Sequence, residues 1–596
     1  MGVLFVTLSN YFNVLSPQVT GFIIDFVQRS LHLPGYRAKD KAPDYDVLVQ
    51  KFIHYVESAY KNAGNVGRVV ALCGIVILVL ALLRGFFLFL MRQTLIVMSR
   101  HIEYDQKNEI YDHYQKLDTA FFKVHNTGDL MSRIAEDVSR VRMFTGPSIM
   151  YLVNLVAVIS LAVFFMLKRD VELTLYVLAP LPILAITIYY VNNMIHTRSE
   201  KIQASLSDLT TNAQESYSGI RVIKSFVQEK AMLAFFTKNS ETYKTNAIGL
   251  AKVEAIYFPS ITLLIGLSTL FTIMIGGLYY IYGRHGIGVD IIVEFVMYIN
   301  MLTFPVSAIG LTASMIQRAS ASQKRINEFL RTEPIIRNPE NAIKPDLQGN
   351  ILFKNVDFIY PHTGIHAIKN FSLQINKGEK VAIVGRTGSG KSTIAQLLLR
   401  MYDVTNGSIE LDGNNIQKLE LRSLREQISY VPQDVFLFSE TVENNILFGL
   451  EKARNEEVTK AAMQTSVHTE IEDFSEKYKT MIGERGVTLS GGQKQRISIA
   501  RAFIKNPRLV IFDDCLSAVD ARTEKEIIGS LNEYLEGKTA IIITHRIFSL
   551  FNFNKIIVLD DGEMVEQGTH QELMDLNGYY ASLYARQQER ERSGEF

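Results

Sequence analysis

The sequence predicts a multi-domain membrane protein, in which an all-α membrane domain of six helices is followed by a linker and an α/β domain. Three observations predict it. Apolar runs of about 20 residues, the length that crosses a hydrocarbon core about 30 Å thick, recur up to residue 320 and not beyond it. After Gln317 the text turns polar and passes Pro334, Pro339 and Pro345, a linker composition. From Ile351 short β-branched runs such as KVAIVG, ISYVPQ, LVIFDD and TAIIITH alternate with helical stretches, the pattern of a mainly parallel sheet. Whole-chain averages hide this division. Among 596 residues, 62 Lys plus Arg stand against 61 Asp plus Glu, so no chain-wide basic field exists to hold nucleic acid. A mean hydropathy of +0.10 is too oily for an ordinary soluble enzyme and too polar for a chain that is membrane throughout. Cys73 and Cys515 are too far apart to read as a zinc or redox motif, and two cysteines give no disulfide framework.

The six runs lie near Val3–Val27, Val69–Met98, Phe144–Leu167, Leu173–Val191, Ile256–Tyr282 and Ile291–Met315. The first lacks the basic start of a secretory signal and continues past signal length into Ser16, Pro17 and Asp25, so it reads as a membrane helix. It begins almost at the initiator, with no room for a preceding cytoplasmic segment, and the expectation is a shortened or misassigned native N-terminus. Two connections, Ser99–Met143 and Asn192–Glu254, are long, charged and helical in pattern, and both fall on one side of the membrane. Those opposite are short except Arg29–Arg68. Lys and Arg are only modestly enriched in the long loops, so they do not orient the chain. Charges inside spans are costly and therefore functional, paired or snorkelling. Arg84 and Arg92 lie well inside the second run, Asp25 and Glu294 nearer ends. Interhelical pairing or solvent contact is one reading; the sharper one gives Arg84 an anionic group such as a lipid phosphate. Pro305 predicts a bend in the sixth helix.

The α/β half carries the chemistry. Strand Lys380–Val384 runs into Gly385, Arg386, Thr387, Gly388, Ser389, Gly390, Lys391 and Ser392, then Thr393 and an apolar helical stretch. Glycines let such a loop wrap a phosphate, inward N–H groups and a helix N-terminus supply positive potential, the lysine reaches the β- and γ-phosphates, and the serine hydroxyl joins Mg²⁺. A second apolar strand, Leu509–Phe512, ends in Asp513 and Asp514. A carboxylate at the sheet's carboxyl edge suits a magnesium-organising position, which is assigned to Asp513. Asp514 would orient or deprotonate an attacking water.

Between these sites stands Leu489-Ser490-Gly491-Gly492-Gln493, followed by KQRISIARA. In this order the motifs resemble those of ATP-binding cassette proteins, and Phe121–Arg142 and Gln214–Phe226 resemble the cytoplasmic loops of exporters whose chain carries six helices and one cassette. The resemblance covers essentially the whole chain. It implies an α/β P-loop ATPase domain with ATP and Mg²⁺. Tyr360 would stack on adenine, and Gln433 would sense the γ-phosphate and join Ser392 and Asp513 about the metal. His545 would be the switch histidine and Asp520 the D-loop aspartate, while GERG at Gly483–Gly486 resembles an exporter segment. It implies domains at 1–325, 350–588 after a linker at 326–349, and a tail at 589–596.

One cassette cannot fold its signature onto its own phosphate loop in that architecture, so the resemblance implies a head-to-tail pair, each ATP lying between one chain's Lys391 loop and the other's Ser490 signature. It further implies ATP-driven export of amphipathic drugs or lipids by alternating access, with a second half-transporter chain and membrane lipids as partners. The setting would be a bacterial inner membrane, the cassette cytoplasmic. A dedicated lipid or glycolipid flippase is an alternative, as is an ATP-gated or regulatory protein on the same fold. No regulatory insert follows the cassette, which favours the exporter. One departure stands out: exporters of this class usually have glutamate where this chain has Asp514. Aspartate is one methylene shorter, and within the family it often marks the impaired site of a heterodimer. A slow homodimer and a heterodimer both remain open.

Overall fold

The computed structural model describes residues 1–32, 44–60, 66–284, 286–344, 346–450, 455–483, 486–515, 521–545 and 552–593. The chain forms two compact units, one of Met1–His113 with Met131–Arg331, the other of Tyr114–Leu130 with Thr332–Phe596.

The first unit is built of long helices. Among the described residues five of them, Val66–Lys116, Thr127–Arg169, Val171–Ser218, Glu229–Tyr282 and Val289–Leu330, are long and apolar enough to cross a membrane. Gly2–Ser30, the first predicted span, is a helix of 29 residues but falls outside that set. Its inner face buries Ser9, Asn10 and Gln18, and Asn10 donates to Asn154 at 2.9 Å. The helices outrun the apolar stretches because the long charged connections stay helical, so membrane and loop segments merge into rods such as Glu229–Tyr282, 54 residues long. Pro305 lies within one of them and the helix runs through it to Leu330.

Charges in the spans separate into two kinds. Arg84 and Arg92 are exposed on the surface of their helix. Glu294 is fully buried and pairs with Arg169 at 2.8 Å, their side chains 0% and 3% exposed. Tyr298 donates to Glu294 at 3.1 Å, and the Arg169 guanidinium lies 3.9 Å from the centre of the Tyr45 ring. A lone charge at that depth would cost several kcal/mol. Glu294 therefore follows the interhelical-pairing reading.

The second unit holds two sheets. A four-stranded antiparallel sheet runs in the order β2 (His366–Ile375), β1 (Ile351–Ile359), β4 (Asn406–Leu411), β5 (Asn414–Asn415). The six-stranded sheet runs β10 (Glu563–Gly568), β9 (Lys555–Asp560), β3 (Lys380–Gly385), β8 (Thr539–Ile543), β7 (Leu509–Asp513), β6 (Ile428–Val431). Every pairing from β9 to β6 is parallel, as the apolar runs predict. Strands β3, β7 and β8 are almost continuously buried because helices cover both faces of such a sheet.

Tyr114–Leu130, from the first long loop, packs with this second unit. Asp118 caps the short helix Thr119–Val124 by accepting from the Phe121 amide at 3.1 Å. Its other oxygen accepts from the Ile335 amide, in the linker, at 2.7 Å. Ala120 packs against the cassette core, and Thr119 donates to the Met401 sulfur at 3.5 Å. Asp118→Ala removes a cap and strands a linker amide, each worth about 1 kcal/mol. The expected outcome is a lower unfolding temperature for the cassette transition in differential scanning calorimetry, with Asp118→Asn falling between alanine and the unaltered chain.

Candidate nucleotide site

Three adjacent parallel strands deliver the site. Because β8 lies between β3 and β7, the phosphate loop after β3, His545 after β8 and the carboxylates ending β7 emerge at one carboxyl edge, where open α/β sheets bind ligands. The loop's backbone demands glycine at two points. Gly385 has φ 155° and a Cβ there would lie 2.1 Å from the Leu559 carbonyl; Gly390 has φ 95° and a Cβ 2.3 Å from the Ala367 carbonyl. Any larger residue collides with backbone that cannot give way.

Inside this loop Lys391 is buried, and its ammonium donates to the carbonyls of Gly385 at 3.0 Å and Arg386 at 2.6 Å. Burial pulls its pKa below the ordinary lysine value, while Asp514 and Asp513 oppose that pull. Ser392 donates to Asp513 Oδ1 at 3.0 Å and Tyr430 donates to Oδ2 at 3.2 Å. Burial raises the Asp513 carboxyl above its usual range, partly offset by those two hydroxyls. Asp514 takes the left-handed conformation at φ 47°, its amide donating to Ile543 at 2.8 Å, and its carboxylate accepts from the Gln433 amide at 3.4 Å. Burial, then the Lys391 charge, holds the His545 imidazole below its ordinary pKa, which favours the neutral ring.

Tyr360 is fixed against the helix that follows the loop. Its hydroxyl is 2.9 Å from Thr393 Oγ1 and donates to Gln396 at 3.3 Å, and its ring meets Phe358 and Tyr402 edge to face at 4.8 and 5.4 Å. A cleft of about 450 Å³ is lined by Tyr360, Thr387, Gly388, Gly390, Lys391, Ser392, Thr393, Gln433, Asp513, Asp514 and His545, with Ile365, Ala367 and Ile543. Gly385, Arg386 and Ser389 lie in the same loop behind that lining. Ser389 Oγ is buried without a hydrogen-bond partner among the described residues. Arg386 lies over the Tyr579 ring at 5.6 Å.

The signature does not line this cleft. Ser490 caps helix Gly491–Lys505 in a reciprocal box, accepting from the Gln493 amide at 3.2 Å while its own amide donates to Gln493 Oε1 at 2.9 Å. Ser490 and Gly491 are exposed and Gly492 and Gln493 half-buried. Asp520, and Glu484 and Arg485 of GERG, lie outside the described residues. Sequence reading missed Tyr430, which became visible only through the pairing of β6 with β7, where Tyr430 stands opposite Ile511.

Both halves of the chain match known families. The ABC transporter transmembrane region family matches residues 1–306 and the ABC transporter family matches residues 368–517. The chain belongs to the ABC transporter family. This ABC transporter is 38% identical over 486 residues, 81% of its length and 82% of the other's, to a probable multidrug resistance ABC transporter ATP-binding/permease protein, YheI, of Bacillus subtilis. It is 34% identical to the multidrug resistance-like ATP-binding protein MdlA of Escherichia coli, over 89% of each chain, and 32% identical to an ATP-dependent lipid A-core flippase of Syntrophus aciditrophicus, over 84% and 82%. The structure of a bacterial Atm1-family ABC exporter with ATP bound superposes with a TM-score of 0.73, covering 96% of this chain and 98% of that one at 24% identity, and so shares its fold. The protein is an integral membrane exporter whose nucleotide-binding domain couples ATP hydrolysis to transport, and half-transporters of this kind function as dimers.

Proposed function

We propose that this ABC transporter moves amphipathic molecules, drugs or lipids, out of the cytoplasmic leaflet of a bacterial inner membrane, with Gly2–Ser30 as its sixth span. The observation that carries the nucleotide half of the reading is the cleft that gathers an anion-binding loop, two carboxylates, a glutamine and a histidine, while the Ser490 signature stands outside it at an exposed helix start. That division supports a dimer in which each signature closes on the nucleotide held by the other chain.

The donor set suits both ATP and Mg²⁺. Hard oxygens from Ser392 and Asp513, with Gln433 nearby, are the chemistry magnesium takes, and the metal when bound neutralises phosphate charge. Lys391 and the loop amides hold the β- and γ-phosphates, and Ser389 donates to them. Tyr360 presents its ring to adenine. Asp514 orients the attacking water and accepts its proton, and neutral His545 donates to the γ-phosphate oxygens as charge builds there. Gln433 ties the occupancy of this site to the membrane domain.

For the substrate, the multidrug relatives and the flippase support an amphipathic cargo, as do exposed span aromatics such as Phe86, Phe89, Phe164 and Tyr189. The purified chain in lipid nanodiscs, assayed for ATP turnover across a panel of lipids and amphipathic cations, is expected to be stimulated severalfold by at least one class. A flat response across the whole panel would overturn the amphipathic assignment. Turnover by this chain alone selects the homodimer, and turnover only with a co-expressed second chain the heterodimer.

A further inference from the structure

Glu470 lies on the short helix His468–Glu472 and takes no part in the nucleotide cleft. Both oxygens of its carboxylate are engaged, and both by the signature helix. Oε2 accepts from the Gln493 side-chain amide at 2.9 Å, and Oε1 pairs with Arg496 at 2.7 Å. Gln493 is thereby held at both ends, since its Oε1 accepts from the Ser490 backbone amide at 2.9 Å. An amide has nearly the same shape when turned over but exchanges donor for acceptor. Turned over here, it would set N–H against the N–H of Ser490 and nitrogen apart from any acceptor. The carboxylate permits only one orientation, the one that closes the capping box.

The second arm fixes the turn itself. Arg496, with only 8% of its side chain exposed, donates to the Gly492 carbonyl at 3.3 Å and to the Ser466 carbonyl at 2.7 Å. Glu470 thus grips the first turn of the signature helix twice, through the Gln493 amide and through the arginine that holds the Gly492 carbonyl. Its own helix is braced from the far side, where His468 Nδ1 lies 2.8 Å from the Tyr478 hydroxyl.

We propose that Glu470 is a positioning residue for the signature, setting the orientation of the Gln493 amide and of the Ser490–Gln493 turn that closes on the nucleotide held by the partner chain. The inference rests on the dimer arrangement proposed above. An anion site built from one serine hydroxyl and a helix's first amides works only when they point at where charge develops, and a displacement near 1 Å costs on the order of 100-fold in rate. Losing one of several holds on the turn should cost less, about tenfold.

The test uses the full-length transporter in lipid nanodiscs, with kcat and KM for MgATP, photolabelling by 8-azido-ATP and unfolding temperature measured together. Glu470→Ala is expected to lower kcat about tenfold while photolabelling, which reports the Lys391 loop, stays within about twofold. Glu470→Gln is expected to fall between, because a glutamine there still accepts from Gln493 but leaves Arg496 without its charge. Gln493→Glu alone sets two carboxylates face to face and lowers kcat. The exchange Glu470→Gln with Gln493→Glu restores a carboxylate–amide pair and is expected to recover most of the rate, a rescue that a merely structural role would not give. Unchanged kcat in Glu470→Ala, or an exchange no better than the worse single variant, would overturn the proposal. Should Glu470→Ala fail to fold, the exchange series decides alone. Absence of photolabelling in the unaltered protein would strike the ATP reading instead.

Discussion

Lys391→Ala is expected to reduce ATP turnover by 100-fold or more and to end ATP-driven transport into sealed inverted vesicles. The side chain is buried inside the loop with its ammonium on two loop carbonyls, so it serves the loop's shape as well as its charge. Each charge-assisted hydrogen bond to phosphate is worth roughly 1.5–3 kcal/mol, and two of them account for a loss of that size. Lys391→Arg keeps the charge but not the volume, and in so tight a loop it should restore little. Transport at the normal rate by Lys391→Ala would sink the assignment of this cleft as the motor.

The second large effect belongs to Asp514. Asp514→Asn is expected to leave a few per cent of turnover or less, measured as phosphate release at saturating MgATP. Its backbone sits at φ 47°, a conformation that asparagine tolerates better than most residues, so the loss is one of charge and not of shape. Asp514→Glu is expected to preserve or raise kcat, because the added methylene carries the carboxylate about an ångström closer to the water, and an ångström is worth on the order of 100-fold. Glutamate tolerates the left-handed region less well, so the same variant should unfold at a slightly lower temperature. A faster but less stable Asp514→Glu would mark the natural aspartate as a brake on the rate.

The phosphate loop, the signature and the strand-end carboxylates were legible because each is a local pattern in which spacing alone sets geometry. Burial patterns along β3, β7 and β8 were equally plain, since strands covered on both faces are apolar throughout. Partners from elsewhere in the chain were not. Tyr430 reaches Asp513 only because β6 lies beside β7 in register, and Glu470 reaches Gln493 across 23 residues, a contact without a motif. The antiparallel sheet of β1, β2, β4 and β5 went unread because its strands carry bulges, as between Phe353 and Val356, which break simple alternation. The apolar run at Val3–Val27 was legible as a span, yet among the described residues Gly2–Ser30 falls outside the five helices long and apolar enough to cross a membrane; its buried face is part polar, with Ser9, Asn10 and Gln18 turned to helix packing. Asp118 was unremarkable as text, yet it joins a loop to a linker more than 200 residues later.

That loop has a consequence for inheritance. A gene fragment starting at Thr332 would encode every nucleotide-binding motif but lack Asp118 and Ala120, leaving the Ile335 amide bare and one side of the cassette core without its cover. Exchange of C-terminal halves between related genes would match each new cassette with a foreign Tyr114–Leu130. The two halves look modular, but a cassette exchanged without residues 118–120 loses the partners of Ile335 and Met401 that lie outside its own segment.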